Sequence, residues 1–111
     1  MISIATFRKL AMAFEGATEL PHFEKASFRI GKKIFATLDT KLNRACLKLS
    51  EADQSLFSSH DKSVIYPVPN KWGKQGWTFV ELKKVKATLL KAMLTAAYCS
   101  VAPKALAVKR K

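Results

Sequence analysis

Apolar residues recur at helical spacing near both ends of the chain and alternate with polar residues between them. Ile4, Phe7, Ala11 and Phe14, with Leu10 beside them, make a stripe of period near 3.6 and predict a first helix ending near Phe14. Ser3 stands where an N-cap hydroxyl is wanted, and Gly16 where a C′ residue lets the chain leave a helix. Glu19-Leu20-Pro21 reads as a connection.

Three runs of period two follow. From Glu24 to Ile30, Ala26, Phe28 and Ile30 alternate with Lys25, Ser27 and Arg29. Gly31-Lys32 marks a tight hairpin turn. From Lys33 to Leu38, Ile34, Ala36 and Leu38 alternate with Lys33, Phe35 and Thr37. After a turn at 39–42, Ala45, Leu47 and Leu49 alternate with Arg44, Cys46 and Lys48. Each run has one apolar face and one mixed face, as strands covered on one side do.

Ser50-Glu51-Ala52-Asp53 has the form of a capping box and opens a short helix to about Ser58. Ser63 to Val68 reads as an edge strand ended by Pro67 and Pro69. Asn70 to Gln75 reads as a loop and Gly76 to Leu82 as a strand. A helix from about Val85 to Val101 places Leu89, Leu90, Met93, Leu94, Ala97 and Val101 inward, and Lys84, Thr88, Lys91, Thr95 and Tyr98 outward. Pro103 stops it. The order α-β-β-β-α-β-β-α, with short connections, predicts an α+β domain of two layers: an antiparallel five-stranded sheet with helices on one face. Residues 1–104 form one domain in this reading, and residues 105–111 a basic tail.

Charge changes the picture. The formal net charge is +12, and residues 62–111 carry eleven Lys or Arg against one acidic residue, Glu81. Residues 1–61 carry nine basic and seven acidic residues, so they hold about +2 and the remainder about +10. Such segregation suits a polyanionic partner, because each phosphate neutralised releases a condensed counterion; it also suits a small protein kept soluble by charge alone. The longest apolar stretch, 92–102, is broken by Thr95, Tyr98 and Ser100 and is too short to span a bilayer. Met1 to Phe14 has Arg8 and Lys9 in its middle and does not read as a signal peptide. The sequence therefore predicts a cytoplasmic protein with no membrane partner.

Catalytic chemistry finds little support. Cys46 and Cys99 each fall within a regular element and read as small hydrophobes. His22 and His60 are isolated. No zinc-ligand spacing, glycine-rich phosphate loop or nucleophile–base arrangement is present. The expectation is a protein that is not an enzyme and has no cofactor.

The run from Asn70 through Lys71-Trp72-Gly73-Lys74-Gln75-Gly76-Trp77 to Thr78 is distinctive. It is followed by Val80-Glu81-Leu82, Ala97-Tyr98 and Val101-Ala102-Pro103-Lys104. With the hairpin segment Gly31 to Ala36 and the early Phe14-Glu15-Gly16, it resembles the MmcQ/YjbR family over nearly the whole chain. The resemblance implies a fold similar to the secretion-chaperone-like arrangements. It also implies a DNA-binding role through a "double wing" of two β-hairpins, and it brings no catalytic residues.

The residues give those wings candidate chemistry. The first wing carries Arg29, Lys32 and Lys33 around Gly31, three cations able to reach phosphates. The second carries Lys71 and Lys74 interleaved with Trp72 and Trp77, with Trp72 the better candidate for stacking. Lys83, Lys84 and Lys86 crowd the start of the last helix, where cations oppose the macrodipole unless an anionic ligand meets them. The mixed strand face, with Phe35, Trp77 and Phe79 among Lys25, Arg29, Arg44 and Lys48, suits either stacked bases or a protein interface such as a homodimer. The reading is sequence-tolerant nucleic-acid binding, with DNA favoured by the resemblance. The alternative is an interaction module that docks an acidic partner or self-associates.

Overall fold

The computed structural model describes residues 2–22 and 25–102; the basic tail lies outside them. Helix α1 (Ile4–Met12) is followed by strands β1 (Ala17–His22), β2 (Lys25–Ile30), β3 (Lys33–Asp39) and β4 (Arg44–Lys48). Then come α2 (Glu51–Ser58), β5 (Ile65–Pro67), the one-turn α3 (Lys71–Lys74), β6 (Trp77–Glu81) and α4 (Ala87–Val101). The strands form one antiparallel sheet in the order β1-β2-β3-β4-β6-β5. The α+β architecture is as the sequence predicts, with six strands instead of five.

The extra strand is β1, which the sequence suggested as a connection. Its six residues pair with β2 from Ala17↔Ile30 to His22↔Lys25. Its pattern is poor because it is an edge: Leu20 is exposed, and Pro21 offers no amide, which an edge tolerates. The turn before it uses Gly16 at φ +84°, with the Ala17 N–H donating to the Phe14 carbonyl at 3.1 Å. Helix α1 has already ended at Met12, so Gly16 serves this turn and not the helix.

The two N-cap hydroxyls act as read. Ser3 Oγ accepts from the Thr6 N–H, and Ser50 Oγ from the Asp53 N–H, each at 3.1 Å. Helix α4 has no such cap. Lys86 occupies its N-cap position without a side-chain bond, so Lys83 and Lys84 lie in the preceding turn and not in the helix.

Helices α1 and α4 cover one face of the sheet. Phe7 of α1 and Leu90 and Leu94 of α4 pack there on Phe28, Ala36, Leu38, Leu47 and Val80 of the strands, all buried. Two side chains reverse their expected places. Tyr98, read as facing outward, is fully buried; it stacks on Phe14 at 4.7 Å, and its hydroxyl donates to the Glu15 carbonyl at 2.8 Å. The turn leading into β1 closes over that part of α4, which a helical wheel does not see. Phe35, read as facing away from the helices, is also fully buried, edge-on to Phe14 and Tyr98. The register steps from Phe28↔Ala36 to Arg29↔Ile34, a β-bulge that inserts one residue on β3. Phe35 therefore enters the core next to Ala36, and Ile34 moves to the opposite face.

Candidate nucleic-acid interface

The strand register assigns each candidate cation to an end of the sheet. The β2–β3 hairpin closes at Ile30↔Lys33 around Gly31 and Lys32. Gly31 has φ +61° with open space around it, as a glycine in the first central position of a two-residue loop requires. Lys32 and Lys33 are exposed at this tip. Arg29 is not at the tip: its Nε donates to Ser27 Oγ at 2.9 Å, and the side chain lies half-buried on the sheet.

The second turn, between β5 and β6, is not an open loop. Asn70 Oδ1 accepts from the Trp72 N–H at 2.8 Å and caps the single turn of α3. Two glycines explain the local motif. A Cβ on Gly73 would lie 1.9 Å from the Val68 carbonyl oxygen, and one on Gly76 1.8 Å from that of Leu49. Gly76 also has φ +105°. Backbone thus lies directly on backbone, which only glycine permits. Gln54 of α2 completes the anchorage: its amide nitrogen lies within 3.1 Å of the Gly73 and Trp77 carbonyl oxygens and of Thr78 Oγ1. No sequence pattern marked Gln54 for this role. Lys71, Trp72 and Lys74 project outward, Trp72 with 49% of its surface exposed.

The antiparallel pairing brings both turns to the same end. From that end β3 runs away to Asp39, β4 returns to Lys48, and Lys48 pairs with Trp77 at the start of β6. Three strand spacings separate the hairpin axis from the β5–β6 turn, roughly 14 Å at about 4.8 Å each. Lys48 stands between them, and its ammonium donates to the Gln75 carbonyl. Lys83, Lys84 and Lys86 follow the far end of β6, so they form a separate cluster across the molecule.

The face away from the helices differs along its length. At the far end Arg44 pairs in register with both Asp39 and Glu81. Its guanidinium lies 3.9 Å over the Phe79 ring, and Tyr66, packed on Phe79 at 5.6 Å, donates its hydroxyl to Glu81. Burial, and then the bond to Glu81, holds the Tyr66 phenol above its ordinary range. Phe79 is thereby covered by its own neighbours. Near the turns this strand face carries Arg29, Ile34, Lys48 and Trp77 and no carboxylate. Between the two regions Cys46 is half-buried, and burial raises its thiol to about 11.

A cavity of about 260 Å³ beside the start of α4 is lined by His60, Asp61, Lys84 and Lys86 among others. Asp61 Oδ1 accepts from the Ser63 hydroxyl and N–H at 2.7 and 2.9 Å, which lowers its carboxyl below the usual range. Among the described residues no group of His, Cys, Asp or Glu is arranged to hold a metal ion, and no helix is long and apolar enough to cross a membrane.

The YjbR family model matches residues 12–100, which takes in every strand and the glycine-anchored turn. The chain belongs to the YjbR family. The crystal structure of Deinococcus radiodurans protein DR2400, described as a DUF419 domain, matches with a TM-score of 0.79 at 23% identity. The match covers 95% of this chain and 82% of that one, and at this identity it establishes the shared fold alone. No curated protein matches the sequence. In this YjbR chain the six-stranded sheet supplies the scaffold, and it holds the two lysine-bearing turns side by side.

Proposed function

We propose that the protein binds nucleic acid without strong sequence preference, through the sheet end that carries the Gly31-Lys32-Lys33 hairpin and the Lys71–Lys74 turn. One observation carries this reading: two lysine-bearing turns stand at the same end of one sheet, roughly 14 Å apart, with Lys48 between them. Lysines on protruding turns reach phosphate oxygens with little desolvation, and such contacts position a polynucleotide without reading its bases. Arg29 supports the hairpin from the sheet face. Lys83, Lys84 and Lys86 belong to a second cationic cluster, outside this footprint. DNA is the polymer that the family resemblance favours.

The test is a titration of labelled duplex and single-stranded oligonucleotides at two or more salt concentrations. Neutralising about four to six phosphates gives a log–log slope of about −3 to −6. An absence of binding at low salt, or a slope near zero, overturns the reading.

A further inference from the structure

Ring packing accounts for most of the aromatic side chains. Phe7 meets Phe28, Phe35 and Tyr98 meet Phe14, and Tyr66 meets Phe79, on which Arg44 also lies. Phe57 packs against the core. Among the described residues, only Trp72 and Trp77 have neither a ring partner nor a place in that core. Neither indole N–H reaches an acceptor among those residues. Trp72 is exposed and Trp77 half-buried, so both indoles are accessible to a ligand.

The two indoles are not scattered. Trp72 stands on the α3 turn, and Trp77 on the sheet face away from the helices as the register partner of Lys48. The strand carboxylates on that face, Asp39 and Glu81, are both at the other end, in register with Arg44. We propose that this end of the sheet takes single-stranded nucleic acid, its unpaired bases stacking on Trp77 and Trp72 while its phosphates meet Lys48 and the two lysine turns. The inference rests on the polynucleotide reading above and names the form of the ligand. Indoles beside ammonium groups form the platform that unpaired bases use, since every base has a π-face. Trp77, half-buried on a sheet, cannot act as a protruding wedge between stacked base pairs. Bases already stacked in a duplex offer it no free face.

The test uses the full chain with oligo(dT), oligo(rU) and a mixed-sequence duplex of equal length, followed by indole fluorescence and by affinity at two salt concentrations. Single strands are expected to bind more tightly than the duplex and to quench the indole emission. Trp77→Ala is expected to weaken single-strand binding about 5- to 150-fold with an unchanged salt slope, because stacking releases no counterions. Trp72→Ala, on the exposed turn, gives the same readout without touching the sheet. Equal affinity for oligo(dT) and oligo(rU) assigns recognition to groups common to both polymers; a preference for one identifies the source. Duplex binding as tight as single-strand binding, with no quenching and silent tryptophan variants, overturns the stacking proposal and leaves the phosphate reading intact. Failure of every oligonucleotide to bind at low salt overturns both.

Discussion

The hydroxyl of Tyr98 donates to the carbonyl oxygen of Glu15 at 2.8 Å, joining α4 to the turn before β1 across 83 positions of sequence. Phe14, in the same turn, stacks on the Tyr98 ring, and Phe35 meets it edge-on at 6.0 Å. One side chain therefore joins the helix layer, the edge-strand turn and the bulge in β3.

Removing only the hydroxyl tests that junction. Tyr98→Phe keeps the ring contacts and removes the hydrogen bond to the Glu15 carbonyl, at a cost of about 1 kcal/mol. Tyr98→Ala also opens a cavity and costs about 3–5 kcal/mol. Urea unfolding, followed by a probe outside α4, measures both. Equal losses from the two variants would show that the ring contributes nothing.

The glycines separate two kinds of constraint. Gly31→Ala meets open space and only the strain of φ +61°, so it costs about 1–2 kcal/mol. Gly76→Ala combines φ +105° with a contact of 1.8 Å to the Leu49 carbonyl oxygen. It is expected to cost at least about 3 kcal/mol and to loosen the α3 turn. Denaturation midpoints and Trp72 fluorescence in the folded state report these effects.

Charge removal distinguishes the two cationic clusters. Lys32→Ala with Lys33→Ala, Lys71→Ala with Lys74→Ala, and Lys83→Ala with Lys84→Ala each remove two charges. The first two pairs are expected to reduce the magnitude of the salt slope by about 0.7 on single strands, or about 0.9 on duplex, for each phosphate that is no longer neutralised, and the third to leave it nearly unchanged. Equal effects from all three would indicate a diffuse basic surface instead of a footprint at the turns.

The Cys46 thiol is held at about 11 by burial, so only about one molecule in a thousand carries a thiolate at pH 8. In a Cys99→Ser background, disulfide-exchange labelling at pH 8 is expected to be slow in the native protein and fast in urea. Labelling at the same rate in both states would show that the sheet centre is open to reagent.

Much of this architecture is written in local patterns. The Gly31-Lys32 hairpin, the Ser3 and Ser50 caps and the period of two in β2 and β4 each depend on a few neighbouring residues, and the structure makes them all. What escaped the sequence depends on distant partners. Strand β1 is held by β2 despite Pro21. Tyr98 is buried because a turn 83 residues away accepts its hydroxyl. The β3 alternation fails because a bulge cannot be read from one strand alone. At the candidate interface, the lysines and tryptophans were visible as residue types; their gathering at one sheet end was not, because it follows from the insertion of β6 between β4 and β5. Gln54 went unread because an exposed-looking glutamine has no pattern of its own.

The anchored turn has a kinetic consequence. With Gly73 against Val68, Gly76 against Leu49 and Gln54 shared among three acceptors, the Lys71–Lys74 segment has no slack to take up. A ligand arriving there finds the surface already shaped, so association has no loop-ordering step to wait for. For the proposed polynucleotide, encounter is then expected to be governed by long-range attraction and to slow as salt is added.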